Sequence, residues 1–109
     1  MLGLRVTARN AVAFEVSGYD DPKAREPGAY WFVTGPNGKE KAGIVHTCPC
    51  GCGLHGTLMF RDSGSQYAEW DLTGEWPKAT ATPSIGFKRI VGGGYHWHGF
   101  LRAGVFEEC

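Results

Sequence analysis

No stretch of about 12 residues in this sequence places apolar side chains at helical spacing, and no run approaches the roughly 20 apolar residues of a membrane span. Residues 1–6 give way to charge before the roughly 7–15 apolar residues that a secretory leader needs. There is no excess of either charge, with 11 Lys plus Arg against 11 Asp plus Glu, so the basic footprint of a nucleic-acid or membrane binder is missing. Internal repeats are absent as well. The 109 residues therefore read as one cytoplasmic domain, residues 1–109, with neither nucleic acid nor membrane as partner.

The sequence also lacks a thiol pair placed for a relaxed disulfide. Three of its four cysteines, Cys48, Cys50 and Cys52, fall within five residues, too close for ordinary Cα separations across a bridge. In a reducing compartment, clustered thiols hold metal more often than they form bridges.

What the chain has in quantity is turn-formers and aromatic rings: 17 Gly, six Pro, four Trp, four Tyr and six Phe. This composition describes short strands joined by turns, a small, mostly antiparallel β domain with little helix, organised around one zinc site. Strands are expected at residues 4–8, 12–16, 29–34, 43–47, 54–60, 66–72 and 87–91, with 78–85 extended. A hairpin formed by 95–101 and 105–109 closes the chain. Its connection, Arg102-Ala103-Gly104, fits a three-residue loop with Gly104 at positive φ. Residues 17–28, polar and interrupted by Pro22 and Pro27, read as a solvated connection.

The segment Cys48-Pro49-Cys50-Gly51-Cys52-Gly53 lies between two of these strands. Zinc takes four tetrahedral ligands from thiolates and neutral imidazoles, and this loop offers three soft ligands on a backbone freed by Gly51 and Gly53. Buried inert cysteines would have no reason to sit between proline and glycine. His98 is the expected fourth ligand. Strand alternation puts His96 and His98 on one face and Trp97 on the other, so both imidazoles are expected to face one site. His46 and His55 flank the loop and read as supporting or surface groups. Cys109 shares the face of His98 if the hairpin turn has two central residues, and falls beside Trp97 if it has three.

Cys48-Pro49-Cys50-Gly51-Cys52-Gly53, then Thr82-Pro83-Ser84-Ile85, then His98-Gly99-Phe100-Leu101-Arg102-Ala103-Gly104, in this order and spacing, resemble a family of small bacterial and phage proteins. These are zinc-dependent serine peptidases, often encoded beside ubiquitin-like conjugation genes, that trim a ubiquitin-like precursor. The resemblance covers roughly residues 28–104 and implies metal ligation by the cysteine motif and His98, with Ser84 as nucleophile. Where relatives carry a cysteine shortly before the histidine, this chain has Tyr95 and His96.

A serine hydroxyl is a poor nucleophile until a base takes its proton or a metal acidifies it. A zinc with three protein ligands would leave a position open for that purpose, and His96 is then the candidate base or oxyanion donor. The leading expectation is a zinc-dependent serine hydrolase or peptidase acting at the C-terminus of a ubiquitin-like or other small protein. The alternatives are a non-catalytic structural zinc module that binds a protein partner, and a decoy that holds the same substrate without turnover.

Overall fold

The computed structural model describes residues 9–66, 68–88 and 94–109. Among these are nine strands and no helix: β1 (Ala11–Val12), β2 (Phe14–Glu15), β3 (Ala29–Val33), β4 (Gly43–Thr47), β5 (His55–Phe60), β6 (Glu69–Thr73), β7 (Thr80–Lys88), β8 (Tyr95–Arg102) and β9 (Val105–Glu108). The strand expected at 4–8 and Gly92 and Gly93 lie outside the described residues. The extended segment at 78–85 and the start of the strand expected at 87–91 form one element, β7.

All nine strands belong to one sheet, in the order β1-β9-β8-β7-β6-β5-β4-β3-β2. Its two edge strands, β1 and β2, are separated in the chain by Ala13 alone, so one passage of backbone serves both edges. Successive groups along an extended chain point to opposite sides. The Ala13 amide donates to Gly104 O at 2.8 Å on the β9 side, and the Phe14 amide to Gly28 O at 3.0 Å on the β3 side. The sheet is thereby rolled into a nearly closed barrel, which leaves little exposed edge. Pairing is antiparallel except for the short β2–β3 and β5–β6 contacts.

Alternate positions fill the interior: Tyr30, Ile44, Leu58, Ile85, Trp97, Leu101 and Phe106 form its centre. A second apolar layer lies outside the wall, where Val16 and Ala24 cover Trp31 and Val45. This explains why β3 is apolar on both faces, with Tyr30 in one cluster and Trp31 in the other. Residues 17–28 are a largely exposed connection, as expected, but one anchored to this layer at Ala24. Ala24 is 2% exposed, Thr47 Oγ1 donates to its carbonyl at 2.5 Å, and Tyr19 stands edge-on to Trp31 at 4.7 Å. The polar residues of this segment serve local turns, Asp21 accepting from the amides of Ser17 and Lys23.

The β8–β9 hairpin turns in two residues, not three. Arg102 pairs with Val105, and Ala103 and Gly104 both take positive φ, 47° and 81°. That is the turn whose twist matches paired strands, and it sets the register of Cys109 opposite His98. The Cys109 amide accordingly donates to His98 O at 3.1 Å.

His46 is neither a surface group nor a member of the thiol cluster. It is fully buried, stacked on Phe106 (5.2 Å, 11°) with its edge towards Phe87 (5.0 Å), and among the described residues neither ring nitrogen meets a hydrogen-bond partner in good geometry. Burial lowers its pKa to about 4. An unfolded chain would bind the proton near pH 6.5, so stability held above that pH is lost as pH falls towards 4. Relative to the native chain, a His46→Leu variant should lose about 2–3 kcal/mol less stability between pH 7.5 and 4.5. Urea titrations at the two pH values measure this, and the paired comparison cancels acid effects common to both proteins.

Candidate metal centre and serine–histidine site

The first assembly gathers on the connection between β4 and β5. Cys48 follows β4 and is completely buried, while Cys50 and Cys52 lie on the loop that leads to β5. This loop turns tightly: Gly51 N donates to Cys48 O at 3.2 Å, Cys48 N to Leu54 O at 2.8 Å, and Gly51 and Gly53 sit at φ 90° and 83°. Proline and glycine between the thiols let three sulfurs converge from one short segment. The fourth group comes from β8, His96 Nε2 lying 3.3 Å from Cys48 Sγ and 3.4 Å from Cys52 Sγ. The four ligand atoms lie within 4.8 Å of one another, close enough to bind one metal ion.

The thiols fit a cation electrostatically. Burial, more than any other cause, pushes the Cys48 thiol well above the usual range. Burial acts in the same direction on Cys50, but hydrogen bonds from its two neighbouring thiols, with the Arg9 charge, bring it below its ordinary value. Three crowded sulfurs cannot all ionise in this setting without a positive charge among them.

Arg9 braces the ligand strand. Its guanidinium donates to His96 O at 2.6 Å and pairs with Glu108 at 2.5 Å, joining β8 to β9. Nothing in the sequence marks Arg9 for this role, because the contact spans 87 positions.

His96 and His98 do not face one site. Between the pairs Phe87–Trp97 and Lys88–Tyr95, β8 advances two residues while β7 advances one, which makes His96 the extra residue of a β-bulge. A bulge interrupts alternation and re-aims a side chain. His96 turns to the thiols, and His98 keeps the regular alternation and faces Ser84.

His98 forms the second assembly. Its Nε2 lies 2.9 Å from Ser84 Oγ and its Nδ1 lies 3.1 Å from Cys109 Sγ. The expected arrangement, with His98 among the cysteines and His96 beside Ser84, is thus exchanged. Ser84 itself lies on an irregular part of β7: between the pairs Ala81–Leu101 and Ile85–Gly99, β7 advances four residues and β8 two. Pro83 has no amide for the ladder, and the swelling carries Ser84 out of regular register. Trp70 Nε1 holds the Ser84 carbonyl at 3.1 Å.

Tyr95 covers the imidazole, stacked on His98 at 5.0 Å and 20°. To reach it the ring crosses β7 at Gly86, where a Cβ would overlap the Tyr95 ring. His55, the remaining histidine, lies away from both assemblies, edge-on to Tyr19 and Trp31 with Nε2 3.3 Å from Ala24 O.

A serine and a histidine at hydrogen-bond distance, the imidazole held on its other nitrogen, are the parts of an activated nucleophile. Residues 17–109 match the family described as "Bacterial ubiquitination-like system serine protease (BubE)". The chain belongs to the BubE family. Neither a curated protein nor a solved structure gives a significant match. The family description calls for a nucleophilic serine, and Ser84 has a histidine in contact with its hydroxyl. Among the described residues no helix is long and apolar enough to cross a membrane.

Proposed function

We propose that this BubE-family chain is a peptidase that trims the C-terminal segment of a ubiquitin-like precursor, with Ser84 as nucleophile and His98 as its base. The contact between Ser84 Oγ and His98 Nε2, 2.9 Å, carries this reading. His98 Nε2 takes the hydroxyl proton as Oγ forms a bond to the scissile carbonyl carbon. The same proton passes to the leaving nitrogen as the peptide bond breaks, and water, activated likewise, releases the acyl group. Both side chains are only half-buried, so an extended tail can reach them.

Cys48, Cys50, Cys52 and His96 would hold zinc, the ion best suited to three thiolates and one imidazole. These four donors would satisfy the four positions zinc prefers, which supports a structural cross-link between the β4–β5 loop and β8 in place of an open position for activating Ser84. Only the folded framework of the catalytic pair depends on the metal.

The direct test uses a purified ubiquitin-like precursor carrying a C-terminal extension. Native protein is expected to remove the extension, and Ser84→Ala to lose at least about 10⁴-fold in rate with metal content unchanged. Persisting cleavage by Ser84→Ala would refute the serine mechanism, and binding without turnover by native protein would favour a decoy.

Gly86 offers a finer check. Alanine there is expected to displace Tyr95 from His98 and slow turnover by about 10–100-fold, since small misplacements of a catalytic group cost this much. Adding Gly86→Ala to Tyr95→Ala should then cost almost nothing further, because both act on the same stack. Full additivity in the double variant would count against the stack as the cause.

A further inference from the structure

The contact on the far side of the His98 ring is a sulfur. Cys109 Sγ lies 3.1 Å from His98 Nδ1, and the Cys109 amide donates to His98 O at 3.1 Å. The two-residue turn at Ala103 and Gly104 sets this register, and Cys109 follows directly on paired strand β9, its amide tied to His98. Ser84 Oγ, the imidazole and Cys109 Sγ therefore form one line: nucleophile, ring, third group.

We infer that Cys109 is a positioning residue of this peptidase, its sulfur accepting Nδ1–H of His98 and so holding the imidazole in the tautomer whose Nε2 is free to take the Ser84 proton. This rests on the Ser84–His98 reading above. The alternative tautomer has its proton on Nε2 and cannot act as a base towards Ser84. A neutral histidine carries one ring proton, and its neighbours' own hydrogen bonds decide which nitrogen keeps it. The Cys109 thiol donates to His98 O, with Sγ at 3.5 Å, which leaves the sulfur lone pairs to face Nδ1 as acceptor, while the Ser84 hydroxyl is placed to donate to Nε2. When Nε2 takes the hydroxyl proton, Nδ1–H stays on the sulfur and the ring cannot turn. Cys109 forms no covalent bond in this scheme. In familiar serine peptidases a carboxylate fills this place, and making its partner tautomer wrong costs about 10⁴-fold.

The test follows labelling of Ser84 by a fluorophosphonate probe, which reports serine nucleophilicity without the natural substrate. Native protein is expected to label, and Ser84→Ala not at all. Cys109→Ala should lower the maximal labelling rate by at least about tenfold at unchanged probe affinity, with metal content and circular dichroism as in the native protein. Cys109→Asp, which returns an acceptor to Nδ1, should recover most of that rate. A Cys109→Ala rate within twofold of native, or a Cys109→Asp rate no better than that of Cys109→Ala, would overturn the inference while leaving the Ser84–His98 pair intact. Absence of labelling in native protein, or labelling that survives Ser84→Ala and vanishes in Cys109→Ala, would instead refute the serine reading and the inference with it.

Discussion

Alanine at position 98 will yield a folded, metal-loaded protein whose peptidase rate has fallen by about four orders of magnitude or more, whereas alanine at position 96 will yield a protein that has lost much of its metal and stability. The contrast is sharp because the two histidines are only two residues apart and serve different chemistry. His98 touches Ser84 and Cys109, and on the proposed mechanism its removal would leave the serine hydroxyl without a base. The fold should tolerate the change, since the ring lies outside the buried core and its backbone pairs with Gly86 and Cys109 in either case. His96 touches Cys48 and Cys52 and completes the only four-donor cluster among the described residues. Metal content by elemental analysis, measured beside cleavage rate for each variant, decides the matter. If His98→Ala released the metal while His96→Ala kept it, the assignment of the two rings would fail.

Chelation should unfold the protein or lower its melting temperature by about 20 °C or more. Domains of this size have about 5–15 kcal/mol of net stability, and a structural zinc site contributes a large share of such a total. For a domain of about 100 residues, about 4 kcal/mol already corresponds to a shift near 20 °C. The loop around Cys50 and Cys52 has little else to hold it. Cys52 is exposed, Cys50 half-buried, and the loop's backbone bonds run to its own neighbours. Without the ion, burial would keep Cys48 protonated, and the link from this loop to His96 on β8 would rest on weak thiol contacts alone. Cys48→Ser should be more damaging than Cys52→Ser, because it also leaves a hydroxyl fully buried in the apolar core. Thermal melts with and without chelator, followed by re-addition of zinc, measure the effect. A melting temperature indifferent to chelator would show that the cluster does not brace the fold.

The sequence alone determined a mostly β domain, because frequent glycine and proline and the dense β-formers of 29–33, 43–47 and 95–102 leave no other regular structure open. It also determined the three-thiol loop, since local chemistry dictates what Cys48, Cys50 and Cys52 can do from one short segment. The barrel was not legible there. Its closure rests on residues 11–15 pairing with strands from both ends of the chain, a long-range choice that leaves no local mark. Nor could alternation assign the histidines, for a rule of period two fails wherever one extra residue enters a strand, and the bulge at His96 is such a place. Only the tertiary structure decided which imidazole met sulfur and which met Ser84. The same holds for the sulfur of Cys109 on His98, whose place depends on a turn of two residues where the sequence pointed to a loop of three.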